Sequence, residues 1–378
     1  MSQAKGHRVV IAGGGAGGLE LACRLGRRFG PNCVTLIDSS LFRIWKRSLH
    51  EVAAGTLDIH RDGLPYAMLA RQCQFAFVPG EVTAVNRKTR TIVLEFITLA
   101  HGEEFALPRR MRYDSLVLVV GSRSNFFATL GAAEHAKTPD STASAECFRV
   151  RLSRALNAMN AARQAGVARQ LDIEIVDGGP TGVELAAELC EAREYIASYG
   201  MTALDSKRDV RIWLIEEAQR ILTALPEHLS KMANDRLLKC GIEVMTNVRV
   251  ASVGAGCPED SGGKRYPADI CVWAARIEAP SWLVKTGRST NRLNRLVVDA
   301  FLRTDDRRIF ALGDRALATR AAKSKPVPAG AQAAHQQASY LARELARRIR
   351  DRLGPMVPFE YRDRSALISV GGPRESAV

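Results

Sequence analysis

The chain repeats itself, and this repeat restricts the fold more than any other feature. Val9-Val10-Ile11-Ala12-Gly13-Gly14-Gly15-Ala16-Gly17-Gly18-Leu19-Glu20-Leu21-Ala22 lies residue for residue on Ile173-Glu174-Ile175-Val176-Asp177-Gly178-Gly179-Pro180-Thr181-Gly182-Val183-Glu184-Leu185-Ala186. Further on, Thr35-Leu36-Ile37-Asp38 answers to Trp213-Leu214-Ile215-Glu216. Apolar run, glycine turn, amphipathic stretch, apolar run and terminal acid read as strand, turn, helix and strand. This is the dinucleotide-binding βαβ unit written twice. The fold class expected is α/β with two Rossmann-like domains, and 378 residues are enough for two cores.

In the first copy Gly13, Gly15 and Gly18 satisfy G-x-G-x-x-G ahead of a helix carrying Leu19, Leu21, Ala22 and Leu25. The spacing gives a tight turn at Gly13, amides open to a pyrophosphate at Gly15, and close helix–strand packing at Gly18. The helix dipole favours an anion at that end. Asp38 closes the second strand, where a carboxylate accepts hydrogen bonds from a ribose diol. A glycine turn with no ligand is the plain alternative, and strand, helix and acid together argue against it.

The second copy keeps Gly179 and Gly182, and its strand ends in Glu216, an acid suited to a free 2′-hydroxyl and so to NADH over NADPH. It departs at Asp177, which stands where the first glycine belongs. A carboxylate there repels a pyrophosphate by about 1 kcal/mol in water, and its Cβ restricts the turn. A repeat that keeps the fold and binds dinucleotide poorly is therefore a rival reading for this half.

Two nucleotide folds in one chain point to a flavin and a nicotinamide exchanging hydride. Thr304-Asp305-Asp306-Arg307-Arg308-Ile309-Phe310-Ala311-Leu312-Gly313-Asp314 supports the pairing, as a strand ending in Gly-Asp that would set Asp314 against the ribityl and phosphate part of FAD.

Composition narrows the partners. Fifty-four basic against 40 acidic residues leave a charge of +14, but the arginines are scattered, with local knots at Arg109, Arg110, Arg112 and at Arg347, Arg348, Arg350, Arg352. No nucleic-acid-binding module accompanies them, so no nucleic acid is expected. A diffuse positive field suits an anionic bilayer surface or a phosphate-rich cofactor equally. The eight cysteines never form C-x-x-C, which removes common zinc and thioredoxin-type signatures; no metal is expected, and a reducing compartment is. No signal-peptide core opens the chain, and no apolar run reaches the roughly 18 residues of a membrane span. A basic helix from about Ala338 to Leu353 carries Leu341, Leu345, Ile349 and Leu353 on one face. Such a stripe suits a bilayer surface and, more commonly, a protein core. Gly254–Pro267 reads as a loop.

Through these motifs the chain resembles the type II NADH:quinone oxidoreductases, single-subunit alternative NADH dehydrogenases, from residue 8 to about 370. The likeness runs through Leu41–Gly55 (LFRIWKRSLHEVAAG, against L-W-K-P-L-L-H-E-V-A), Tyr113–Asn125, Arg220–Pro226 and Cys271–Pro280. It extends to Ala331–Gln336, which fits the A-Q-x-A-x-Q pattern of the quinone site. The resemblance implies FAD on Gly13, Gly14, Gly15, Ala16, Gly18 and Asp38, with Gly121 and Asp314 closing over it and Lys46 and His50 near the flavin. It implies NADH on Gly178, Gly179, Gly182 and Glu216, with Ala274 and Ala275 beside the nicotinamide. Glu184 resembles a glutamate assisting both halves of the cycle, and Gln332 and Gln336 would meet the quinone head; the catalytic set is thus Glu184, Gln332, Gln336 and Lys46. Glu184 as an ordinary helix-start acid and the glutamines as helix caps are the duller readings. His335 ranks below Glu184 as a proton donor to quinone.

The activity implied is non-proton-pumping respiratory transfer of hydride from NADH to FAD, then of electrons to a quinone or other acceptor. The place implied is the cytoplasm, or the cytoplasmic face of the inner membrane as a peripheral protein, and a homodimer is an open expectation. The domains expected are 1–120 with 290–370 for FAD, 121–289 for NADH, and a tail 371–378. The match stops after Gly371, so the membrane-anchoring C-terminal region of the family is expected to be absent. Besides Asp177, Arg47, Arg276 and Gly330 replace a proline, a glycine and an arginine of the pattern. These departures keep three rivals open: a catalytically impaired flavin-binding remnant, a soluble NADH:acceptor diaphorase and, more distantly, a sulfide:quinone oxidoreductase-like protein, which needs cysteines at the flavin.

Overall fold

The computed structural model describes residues 6–95, 97, 108–121, 123–196, 200–255, 257–266, 268–275, 277–280, 282–285, 289–291, 294–319, 326–351 and 354–363. The chain divides into two compact units, one made of Met1–Trp45, Gly63–Arg123 and Ile277–Arg364, the other of Lys46–Asp62, Ser124–Arg276 and Ser365–Val378. Lys46–Asp62 falls in the second unit and the return to the first comes at Ile277, which the expected divisions at 121 and 290 miss. The cause is tertiary: the short helix Leu49–Ala54 packs on the helix Pro180–Glu194, far away in sequence.

The first unit is built on a five-stranded parallel sheet in the order Ile309–Ala311, Ser115–Leu118, Val9–Ala12, Val34–Asp38, Ala76–Pro79. Val9 lies level with Val34 on one side and Ser115 on the other. Val9–Ala12 and Ser115–Leu118 are buried at every position, as continuous apolar runs must be when both sheet faces are covered. The helix Ala16–Phe29 buries Leu21, Ala22 and Leu25 and packs against the helix Ala331–Ile349. Gly17 allows that approach, because a Cβ there would stand 2.5 Å from Leu312 Cδ1 and 3.0 Å from the Ala334 carbonyl. Leu341 and Leu345 are wholly buried, so the apolar stripe of the basic helix serves this core; each such leucine contributes about 2 kcal/mol. Leu353 lies outside the described residues. An antiparallel sheet of Glu81–Asn86, Thr91–Glu95 and Arg109–Arg112 buries Val82, Ile92 and Leu94 and leaves Arg109, Arg110 and Arg112 exposed on an edge strand.

The second unit repeats the plan with four parallel strands in the order Ile242–Met245, Val210–Ile215, Leu171–Val176, Ile270–Trp273. Its glycine turn opens the helix Pro180–Glu194 with proline in the first turn, where the missing N–H costs nothing. The loop expected over Gly254–Pro267 is in part a hairpin, Val250–Gly254 with Cys257–Asp260. Pro258 is tolerated because this is a two-stranded edge. The Asp260 carboxylate takes the Gly262 and Lys264 amides and the Tyr266 hydroxyl, which ties down the polar stretch that reads as structureless.

Candidate dinucleotide-binding sites

At the first glycine turn Gly13 has φ +112, and a Cβ on it would meet the Val119 carbonyl oxygen at 2.4 Å. A Cβ on Gly18 would lie 1.9 Å from the Gly13 carbonyl, so the helix sits directly on the turn. Gly14 is held by Tyr66, whose buried hydroxyl donates to the Gly14 carbonyl at 2.8 Å and fills the space a side chain would need. Gly15 differs from all of these. It is exposed at the start of the helix, with nothing within 4 Å of where its Cβ would be. No packing demand among the described residues explains a glycine there, and a helix start bare of side chains is suited to an anion against the backbone. Ala16 begins the helix, half-buried.

Asp38, expected at a ribose, accepts the Gly14 N–H at 2.6 Å and the Ser40 N–H at 2.8 Å, so it also clamps the turn. Burial raises its pKa above the ordinary carboxylate range, against the pull of those two bonds and of Arg43. Gly121 is exposed with open space before it. Asp314 accepts the Gly330 amide at 2.8 Å and Gly313 donates to Gln337 Oε1 at 2.7 Å, which joins the Gly-Asp turn to the start of the helix Ala331–Ile349.

Arg315, which no sequence motif singles out, is 2% exposed. Its Nε donates to the Val120 carbonyl at 2.5 Å and its Nη1 to the Glu278 carbonyl at 3.0 Å, while Nη2 is buried with no acceptor among the described residues. Burial lowers its pKa to about 10, which still leaves it charged at neutral pH. An orphaned buried donor costs about 1–3 kcal/mol. Together with the open space at Gly15, it makes this unit suited to a polar, phosphate-bearing cofactor.

Gln332 accepts a hydrogen bond from the Tyr361 hydroxyl, and Gln336 pairs with Arg362 through both the carbonyl (2.7 Å) and the amide (2.9 Å). His335 bonds Glu20 at 2.6 Å, a link between the two packed helices of this unit.

The second turn reproduces the first. Glu216 accepts the Gly178 N–H at 2.8 Å and the Ala218 N–H at 2.7 Å, as Asp38 accepts those of Gly14 and Ser40. A Cβ on Gly182 would lie 2.0 Å from the Asp177 carbonyl and 3.4 Å from Ala274 Cβ. Ala274 donates its N–H to Val176 at 3.0 Å, and Ala275 is buried. Arg276 lies outside the described residues. Asp177 holds φ +94, and its Oδ1 accepts the Gly179 N–H at 2.9 Å.

Glu184 and His50 come together in this unit, both buried, with Nδ1 of His50 3.9 Å from Oε2 of Glu184 and Nε2 3.9 Å from Glu51. One turn beyond Glu184, Glu188 accepts from the Thr56 hydroxyl, and burial raises its pKa. Lys46 is exposed in the single turn Lys46–Ser48 that precedes the His50 helix. Tyr66, Gln337 and Arg315 carry no motif of their own, and although Glu184 and His50 each lie in one, their approach to each other does not; only contacts across long sequence separations show these.

A family model described as pyridine nucleotide-disulphide oxidoreductase matches residues 7–338. The type II NADH:quinone oxidoreductase of Haemophilus influenzae is 36% identical over 96% of this chain and 84% of its own length. The Mycobacterium tuberculosis type II NADH:quinone oxidoreductase NdhA is 29% identical over 98% of this chain and 78% of its own. The structure of NDH2 from Plasmodium falciparum in complex with RYL-552 superposes with a TM-score of 0.79 at 17% identity, covering 97% of this chain and 89% of that one.

Proposed function

Because the chain belongs to the pyridine nucleotide-disulphide oxidoreductase family, and within it to the type II NADH:quinone oxidoreductases, we propose that it transfers hydride from NADH to FAD and passes the electrons on to a quinone. The observation that carries this reading is the pair of glycine turns, each clamped by the acid at the end of the next strand through the same two amides. In this reading Gly13, Gly14, Gly15, Ala16, Gly18 and Asp38 hold FAD, with Gly121 and Asp314. The bound flavin supplies an acceptor that takes two electrons from one substrate and yields them to another. Gly178, Gly179, Gly182 and Glu216 hold NADH, with Ala274 and Ala275 on the nicotinamide side.

The protein's own work in the first half-reaction is placement. The glycine turns would hold the two nucleotides in a fixed orientation, which would supply most of the rate of hydride transfer, so no acid or base is required of the chain. Reduction of a quinone by NADH takes up one proton from solvent for each hydride. Glu184 and His50, a buried carboxyl beside an imidazole, can hold that proton. Gln332 and Gln336 meet the quinone head, for which Tyr361 and Arg362 must release their amides. Among the described residues no helix is long and apolar enough to cross a membrane, and we place the protein in the cytoplasm or on its membrane face, where a quinone is reached from the side.

The test is anaerobic. One equivalent of NADH should bleach the yellow flavin band of the purified protein, and a short-chain quinone should restore it. Recovery with ferricyanide alone would mark a diaphorase. The Asp177 carboxylate at Gly179 favours one other reading, a flavoprotein that has lost NADH, which would be yellow and would not bleach. A colourless protein that FAD cannot reconstitute would end the oxidoreductase reading.

A further inference from the structure

The two glycine turns are one backbone design used twice in the same molecule, so each is a control for the other. In both, the first residue of the turn donates its N–H to the neighbouring strand at 2.8 Å, Gly13 to Ile37 and Asp177 to Ile215. In both, the first carbonyl of the helix is taken at 3.0 Å, Gly15 by Leu19 and Gly179 by Val183. The acid clamps match, and so do the close approaches of Gly18 and Gly182 to the turn carbonyl. Pro180 stands where Ala16 does, and the other difference that bears on an anion lies at the amide that opens the helix. Among the described residues nothing lies within 4 Å of where a Cβ on Gly15 would be, whereas at Gly179 a carboxylate is present: Oδ1 of Asp177 accepts the amide N–H at 2.9 Å. Asp177 reaches it from φ +94, a backbone conformation that side chains rarely adopt and that glycine fills at the matching position, Gly13.

A helix-start amide in a glycine turn is where an anion binds, and a carboxylate satisfies it as a phosphate oxygen does. We propose that Asp177 is a resident competitor for the pyrophosphate of NADH. Its carboxylate occupies the Gly179 amide in the resting protein, leaves when the nucleotide enters, and so sets the affinity for the nucleotide. This rests on the reading of the second turn as the NADH site.

The consequence falls on binding and not on the hydride step. After displacement the carboxylate remains within one side-chain length of the bound diphosphate, so it opposes the complex twice, by competing for the amide and by repulsion. Removing the charge should tighten dinucleotide binding by about tenfold or more. The opposition is specific to phosphate. Dihydronicotinamide riboside carries the same hydride without any phosphate, and the site should discriminate against it less than a glycine-type turn would.

The experiment uses the FAD-loaded protein and the variants Asp177→Asn and Asp177→Gly. Asparagine keeps the acceptor and loses the charge; glycine loses both and relaxes the positive φ, so neither substitution threatens the fold. Calorimetry with ADP-ribose, which has the pyrophosphate but no reactive nicotinamide, reads binding apart from chemistry. Rapid mixing with NADH and with dihydronicotinamide riboside separates the dissociation constant from the limiting rate of flavin bleaching. The proposal expects ADP-ribose to bind both variants at least about tenfold more tightly, and the affinity ratio of NADH over dihydronicotinamide riboside to rise by a similar factor. If the wild-type chain binds ADP-ribose and both variants bind it equally or more weakly, Asp177 supports the site and the proposal is wrong. If none of the three proteins binds ADP-ribose, the NADH reading of the second turn falls and takes the proposal with it.

Discussion

Glu174 offers a quantitative test of how burial governs this protein's stability. It lies on the central strand Leu171–Val176 of the second unit, 2% exposed, level with Trp213 on one neighbouring strand and Cys271 on the other. Among the described residues neither carboxylate oxygen has a hydrogen-bond partner, nor has the indole N–H of Trp213. The matching residue of the first copy is Val10, so the fold itself places an apolar side chain here. Desolvation pushes the Glu174 pKa from 4.5 up to about 8, so at neutral pH the carboxyl is mostly protonated. The sign follows directly. Below pH 4.5 the group is neutral in folded and unfolded chain alike; above that the unfolded chain releases its proton while the folded one keeps it, until about pH 8. Stability therefore falls as pH rises through this window, by on the order of 5 kcal/mol in total. Glu174→Leu removes the titration at similar volume. Urea denaturation followed by tryptophan fluorescence between about pH 5.5 and 8.5 should show the wild-type midpoint falling and the variant nearly level, with the variant more stable at the alkaline end by about 3 kcal/mol or more. Parallel curves for the two proteins across that range would refute the argument.

Three further outcomes follow from the same structure. Gly15→Ala should fold with an unchanged melting temperature and lose FAD, because its Cβ meets only open space, whereas Gly18→Ala should unfold more easily, because its Cβ would sit 1.9 Å from the Gly13 carbonyl; differential scanning calorimetry with and without FAD reads both. Glu184→Gln should leave bleaching by NADH intact and slow reoxidation by quinone about 100-fold or more, with a flattened pH profile for that half alone; equal slowing of both halves would argue for a positioning role. Burial pushes Cys23 up to about 12 and Cys190 up to about 11, so at pH 8 iodoacetamide should modify the exposed Cys147 well before either, as peptide mass mapping would show.

What could be read before folding was what lies close together in sequence. The strand, glycine turn, helix and acid of each copy stand within a few dozen residues, and every part has a signature: continuous apolar runs for central strands, glycine where backbone meets backbone, an acid at the next strand end. Asp177 announced itself the same way, as an acid in a glycine position. The Gly254–Pro267 stretch misled because Asp260 satisfies its backbone through side-chain bonds that no period records. Asp38 and Glu216 were legible as acids that close the second strand of each copy, but their clamping of Gly14 and Gly178 was not, since those bonds appear only once the strands lie side by side.

The sequence alone determined the two nucleotide folds, the order of their parts and the family, because local periodicity and a repeated motif survive in one dimension. Only the tertiary structure decided that Lys46–Asp62 joins the second unit, that His50 faces Glu184, that Gln332 and Gln336 are engaged by Tyr361 and Arg362, and that Arg315 is a buried cation with an unfilled donor. Each of these depends on which surfaces are excluded from water together. Burial and hydrogen-bond competition are properties of groups brought close from distant points in the chain, and no local pattern of residue types encodes them.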